Sequence, residues 1–509
     1  MLTLVSSSSG ADAVGVIKAA LPIGIGLASA AFLTLKMTGQ IGHGTDKSIP
    51  TVALRPGNKT HDEEYYEDPD LFLSTCEELY GPVFNLLIHN QSMTIISGPI
   101  AREVFMTEDL SFGDALDDTS GIHSFTASIT RSKRAFNDPA IHEMIRDIVT
   151  PNLALFTPRI VECMQTIGRR DFGVCDRKLV PDPLLVFREM IAAAMANVFM
   201  GPELAQDRRV IDAFIQCMYN LSELGSQGFR KTIWRTLRAR TEYGVLSPLQ
   251  KHVDALVAAA TPVVQERRRQ ETEAMEKGQD YERPLDIMQG LLDNFDKYGL
   301  KDLQDPLFQE QLTVLDQISK EREDERQGKL KSGEVTSPEG FAGTELDPKD
   351  DRALSSAAVK RMAGMDSFLR EVFRYRAQRA GLSHLAKRNV VLSNGMTIYK
   401  GRKVMINIRS VHQNYDMQGE DPTEFRPWRF IGKAKAATKA STDYLPFGMG
   451  KHACPGRFLA VQELKTVGVL LVTHFSNIEL QDPSKKMKAL LSRVGEPVPT
   501  GLYFTSRHA

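Results

Sequence analysis

One cysteine in this 509-residue sequence stands where a thiol could do chemistry. Its window reads Tyr444-Leu-Pro-Phe447-Gly448-Met-Gly450-Lys-His452-Ala-Cys454-Pro455-Gly456. Cys454 lies between a glycine-rich loop and a predicted helix start, and proline directly after it suits a first helical turn. Free backbone N–H groups and the positive end of the helix dipole stabilise a thiolate there. Glycines at 448, 450 and 456 permit tight turns and close approach of a large flat partner. A thiolate so placed is a good axial ligand for haem iron, because electron donation from sulfur favours O–O cleavage. A lone cysteine at a loop–helix junction is ordinarily just buried. What sets this one apart is that Phe-x-x-Gly-x-x-x-Cys-x-Gly is complete at every fixed position.

Something must hold such a loop. Upstream, Glu371-Val-Phe-Arg374 falls on a helix predicted over Ser355–Arg376, where positions i and i+3 share a face. Alone, Glu-x-x-Arg reads equally well as a solvated pair. Apolar residues at three- and four-residue steps predict helices over Asp70–Tyr80, Pro99–Met106, most of His142 to Arg268, and Pro455–His474. Short β-prone runs predict strands at Val83–Ile88, Met93–Ile96, Val390–Leu392, Thr397–Tyr399, Lys403–Ile408, Asn477–Leu480 and Gly501–Thr505. The fold class is mainly α with a small β region.

Taken together, the cysteine window and Glu371-x-x-Arg374 resemble the cytochrome P-450 family. In that family the Glu-x-x-Arg pair joins an arginine from an intervening loop. Phe425-Arg426-Pro427-Trp428-Arg429-Phe430 matches that loop, with Arg429 as the third member. The resemblance covers about residues 50 to 509 and looks most like fungal, membrane-anchored members of secondary metabolism. It implies a haem-thiolate monooxygenase with Cys454 as catalytic iron ligand and Phe447 packed at the haem. It implies propionate contacts from His142, Arg146, His384 and His452, each of which reads otherwise as a surface or core residue. Candidate substrate walls, by family position only, are Phe112–Phe125 and Gln378–Leu382. Electrons would come from a separate NADPH-dependent flavoprotein reductase, since the chain shows no G-x-G-x-x-G-type nucleotide fingerprint. The substrate would be an apolar small molecule, terpenoid-like or another secondary metabolite.

Composition agrees with a globular body. Lys+Arg is 63 and Asp+Glu is 64, a net charge of −1 that gives no support to nucleic-acid binding. The five cysteines, Cys76, Cys163, Cys175, Cys217 and Cys454, are few, scattered and without a C-x-x-C pair, which points to a reducing compartment. Val14–Leu35 is apolar except for Lys18 and long enough to span a bilayer. Residues 1–36 are therefore expected to anchor the chain, with 37–60 as linker and 61–509 as the catalytic domain. The charge flanking the anchor favours a cytosolic body, in this resemblance on the endoplasmic reticulum. Residues 320–352, opening on the charged run Lys320–Arg326, read as a mobile insertion.

One departure from the family pattern is plain. A long central helix carrying an Ala/Gly-Gly-x-Asp/Glu-Thr-Thr-like oxygen-activating segment should follow Pro284–Asp293, and no such run is found. Thr313 sits among ordinary helical neighbours. The sequence then reads as a splice form or gene model lacking an exon, or as a haem-thiolate protein that does not activate oxygen in the usual way. Besides the monooxygenase, two alternatives stand: a haem-thiolate isomerase or dehydratase that does not use O2, and a degenerate, non-catalytic haem binder.

Overall fold

The computed structural model describes residues 46–88, 91–120, 143–226, 248–294, 354–376, 380–450, 453–484 and 500–507. The expected anchor, the 320–352 insertion, His142, His452, Thr313 and the stretch expected to carry the central helix all lie outside these residues.

Val83–Ile88 (β1) and Gln91–Ile96 (β2) pair antiparallel, with Val83 opposite Ile96 and Ile88 opposite Gln91. Further strands are Leu110–Ser111 (β3), Lys178–Val180 (β4), Ala380–Ala386 (β5), Val390–Val391 (β6), Thr397–Ile398 (β7), Lys403–Asn407 (β8), Phe475–Leu480 (β9) and Leu502–Ser506 (β10). They form sheets of order β1-β2-β8-β5-β3, β4-β10-β9 and β6-β7. β2 and β8 run parallel, with Thr94 opposite Val404. Apart from the half-buried Met405, their apolar side chains are buried, as befits central strands of a sheet.

Helices supply the rest: Leu153–Asp171 (α1), Pro183–Met200 (α2), Arg208–Ser226 (α3), Pro248–Glu276 (α4), Ala363–Arg376 (α5) and Arg457–His474 (α6). α2 starts on Asp182, whose carboxylate accepts from the Leu185 N–H, followed by proline at the first helical position; it stops at Gly201, with φ +97°. Ala192, Ala193, Ala194 and Ala196 let α2 lie close against its neighbours. Among the described residues α2 is the helix long and apolar enough to cross a membrane. Here it belongs to the core, with Met190, Ala193 and Ala194 packed among Phe156, Ile160 and Met164 of α1, Leu459 and Leu470 of α6, and Phe475.

Several boundaries differ from the sequence expectation. The helix expected over Ser355–Arg376 is two helices, Ser356–Arg361 and α5, because Met362 leaves helical geometry at ψ +77°. Pro99–Met106 is a 3-10 turn, Gly98–Ala101, leading into the helix Arg102–Met106. α6 begins at Arg457 rather than Pro455, since Gly456 is its N-cap and proline sits in the turn before it. Strands β3, β4 and β5 were not expected. Their short or Ala/Gly-containing sequences take extended form through pairing with distant partners, β4 on β10 and β5 between β3 and β8.

Candidate active site

The Cys454 loop is pinned by alternate residues into two different cores. Leu445 and Met449 are buried in the sheet-side core with Phe105, Val404 and Ile406. Between them Phe447 turns the other way, into a cluster with Leu369, Phe373 and Val461 from α5 and α6. The Phe447 and Phe373 rings meet edge to face, centroids 5.3 Å apart. Gly448 and Gly450 adopt φ +67° and +61°, backbone that side chains with a Cβ rarely adopt. The loop closes where the Cys454 N–H donates to the Phe447 carbonyl at 2.7 Å.

Cys454 is also the cysteine whose surroundings suit a metal-bound thiolate. All five cysteines are free, and Cys454 is the exposed one. Burial, aided by the Glu64 charge, pushes the Cys76 thiol up to about 12, and burial raises Cys163 and Cys217 too. A Cβ at Gly456 would stand 3.9 Å from the Cys454 Sγ, in contact with it. An accessible thiol on a loop fixed at both ends, with Gly456 rather than a larger side chain close to the sulfur, fits a haem iron as donor.

Beneath the loop, α5 brings Glu371, Arg374 and Arg429 together. Arg374 is bidentate on Glu371, Nε to Oε2 at 2.7 Å and Nη2 to Oε1 at 2.8 Å. Arg429 Nε reaches Glu371 Oε1 at 3.1 Å, and the Arg426 N–H donates to the same oxygen at 2.8 Å. The remaining guanidinium hydrogens find carbonyls: Arg374 donates to His412, Pro422 and Glu424, and Arg429 to Glu420, Asp421 and Glu424. Glu371 and Arg374 are essentially solvent-free. Burial pushes the Glu371 carboxyl up, but the Arg374 and Arg426 hydrogen bonds outweigh it and hold it below the usual carboxylate range.

The other expected residues stand apart from this cluster. His384 lies on β5 at 0% exposure, Nδ1 2.7 Å from the Leu382 carbonyl oxygen, its ring against Phe105 and Phe112. Leu382 takes φ +49° at an irregularity in the β5–β8 register between Gly381 and His384. Phe105 in turn touches the cysteine loop: a Cβ on Gly450 would lie 3.7 Å from its carbonyl oxygen. Arg146 occupies a π-helical turn, Ile145–Val149, exposed and paired with Asp147 at 2.7 Å.

A family model for cytochrome P-450 matches residues 346–500, the span that holds Glu371, Arg374, Arg429 and Cys454. Over that span the chain is similar to the cytochrome P-450 family. Its curated P-450 relatives include the monooxygenase paxP of Penicillium paxilli, 23% identical over 423 residues that cover 78% of each chain. Monooxygenase 151 of Postia placenta is 25% identical over 455 residues, 83% of this chain and 85% of the relative. Among solved structures, retinoic acid bound cyanobacterial CYP120A1 superposes with a TM-score of 0.58 at 18% identity, covering 91% of this chain and all of that one. The mainly helical architecture with its small sheets is thus the P-450 fold.

Sequence reasoning missed several groups of this P-450 scaffold. Arg370, beside Glu371, is buried, donates to the Ala436 and Lys439 carbonyls, and lies 3.8 Å from the Tyr444 ring centroid. Ser367 accepts from the Phe430 N–H and donates to the Pro427 carbonyl. Glu463 on α6 is 3% exposed, and its Oε1 has no hydrogen-bond partner among the described residues. Burial pushes its carboxyl up to about 8. The native state therefore keeps this proton up to about pH 8, whereas the unfolded chain releases it near 4.5. Stability should fall as pH rises through that window. Glu463→Gln should remove the fall and stabilise the protein at pH 8 by on the order of 3 kcal/mol. Urea unfolding of both proteins at pH 5 and pH 8 checks this, and parallel pH dependence would show that Glu463 is ionised in the fold.

Proposed function

We propose that this chain oxidises an apolar small molecule, terpenoid-like or another secondary metabolite, using O2 and electrons from a separate NADPH-dependent flavoprotein reductase. The observation that carries this reading is the Cys454 loop: an exposed thiol ahead of α6, tied to Phe447 and seated between two cores. The fungal monooxygenase relatives support the chemical class. When bound, haem would supply oxygen binding and O–O cleavage at an iron that sulfur makes electron-rich.

The chain's own residues do the rest. Cys454 is proposed as the axial ligand, with Phe447 packing beside it. His142, Arg146, His384 and His452 are proposed as cationic or N–H donors for the two propionates. Arg146 reaches one by exchanging Asp147, and exposed pairs of this kind are worth little, so the exchange costs little. Glu371, Arg374 and Arg429 lock the α5–loop interface under the site. Phe112, beside His384, is proposed as part of the substrate wall. Residues 1–36 are proposed to anchor the protein in the endoplasmic reticulum with the catalytic body on the cytosolic side.

The absence of a recognisable oxygen-activating threonine segment from the sequence bears on coupling. Proton delivery to bound oxygen needs a positioned hydroxyl or carboxylate. The 509-residue form is therefore expected to release much of its reducing power as peroxide. A splice form restoring such a helix should gain coupled hydroxylation. Expression of both forms with a reductase, followed by haem content, NADPH use, peroxide and product, tests this. Product formed only with NADPH and reductase supports the oxygenase. Product formed without electrons supports an isomerase or dehydratase instead, and failure to retain haem supports a degenerate binder.

A further inference from the structure

Between the Glu371 cluster and the Cys454 loop lies a histidine with no role so far. His412 ends the short helix Ile408–His412 and is fully buried. Its carbonyl accepts from Arg374 Nη1 at 2.7 Å, so its backbone is fixed by the guanidinium that chelates Glu371. Its Nε2 accepts the Leu445 N–H at 2.9 Å. Its ring lies nearly parallel to that of Tyr444, centroids 5.9 Å apart at 25°, and the Tyr444 ring also carries the Arg370 guanidinium.

An Nε2 that accepts must be unprotonated, which puts the ring hydrogen on Nδ1 and makes the imidazole neutral. Burial and the Arg374 charge enforce this, holding its pKa down to about 3. Nδ1 itself has no hydrogen-bond partner among the described residues. A buried unsatisfied donor is a cost, and folds retain one where the group does something else. Leu445 leads into Pro446, which has no N–H, and then Phe447, whose carbonyl holds the Cys454 N–H. The Leu445 N–H is therefore the point at which the upstream end of the loop is tied to the α5 cluster.

We infer that His412 is a positioning residue for the cysteine loop: its neutral imidazole couples the Glu371–Arg374 cluster to Leu445 and thereby sets where the Cys454 sulfur sits. The loop tether stands on geometry alone; its effect on iron rests on the reading of Cys454 as haem ligand.

Hydrogen exchange of the full chain, read at single residues, tests the tether. In the unmutated protein the Leu445 amide should exchange as slowly as that of Cys454. Fast exchange at Leu445 overturns the proposal without any variant. His412→Phe preserves volume and the stacking on Tyr444 but cannot accept. The amides of Leu445–Cys454 should then exchange at least about tenfold faster, equivalent to ~1.4 kcal/mol of lost protection, while α5 and α6 stay protected. His412→Gln, whose amide oxygen can accept, should return part of that protection. Unchanged exchange across the loop in His412→Phe overturns the inference. Should that variant unfold throughout, His412→Gln decides, since a loop fully protected in wild type must loosen measurably with the weaker acceptor. In haem-loaded protein, His412→Phe should also move part of the reduced carbon-monoxide complex from the red-shifted to the unshifted Soret band. A wild type that lacks the red-shifted band, yet shows the exchange effect, removes the haem-thiolate reading and leaves the tether standing.

Discussion

Glu371→Ala should leave little soluble, haem-loaded protein. The substitution strips the carboxylate shared by Arg374 and Arg429, two guanidiniums whose side chains are at most 5% exposed. Their carbonyl partners satisfy hydrogen bonds but carry no compensating charge. Breaking such a buried pair costs about 3–5 kcal/mol, against a total stability of about 5–15 kcal/mol for a domain. Arg374→Ala should be as severe, since it takes the bidentate partner from Glu371 and releases the carbonyls of His412, Pro422 and Glu424 together. Glu371→Gln should be milder, because the amide oxygen still accepts from the Arg426 N–H. Soluble yield, haem content and the urea midpoint give the answer. A Glu371→Ala protein with wild-type midpoint and full haem would show that the cluster holds nothing.

Cys454→Ala should change the spectrum completely while leaving the fold almost intact. The side chain is exposed, so its loss opens no cavity, and the loop's tie to Phe447 runs through the backbone N–H, which alanine keeps. Iron held by any other ligand loses the sulfur electron donation that shifts the Soret band of the reduced carbon-monoxide complex. That band should disappear, together with NADPH-dependent oxidation. Cys76, Cys163, Cys175 and Cys217 should each tolerate Ala with the band unchanged. A red-shifted band surviving in Cys454→Ala would move the ligand elsewhere in the chain.

The legible parts of this protein were those whose signal is local. Val83–Ile88 and the run from Met93 to Ile96 read as a hairpin because apolar, β-branched residues dominate both arms. Glu371, Arg374 and Arg429 were found by spacing and order, and the structure brings them to one point. What escaped was set by distant partners. β5 contains Ala380, Gly381 and Ser383, a weak strand sequence made extended by β8 on one side and β3 on the other. Lys178–Val180 is too short to announce a strand and needs β10 to become one. His412 and Arg370 carry no motif, and a single histidine or arginine looks the same whether solvated or buried. Glu463 escaped for a related reason, since the helix around it buries Gln462, Glu463 and Lys465 alike. A helix buried all round with polar residues inside has no amphipathic stripe to read.

The carbon-monoxide difference spectrum of the reduced, unmutated 509-residue protein tests the central claim most directly. The protein would be expressed with haem precursor supplied, extracted, reduced and exposed to carbon monoxide beside Cys454→Ala. The account predicts a red-shifted Soret band in the unmutated chain and its absence in the variant. Bound haem with an unshifted band in both proteins would contradict it, because the iron would then be held without the Cys454 thiolate.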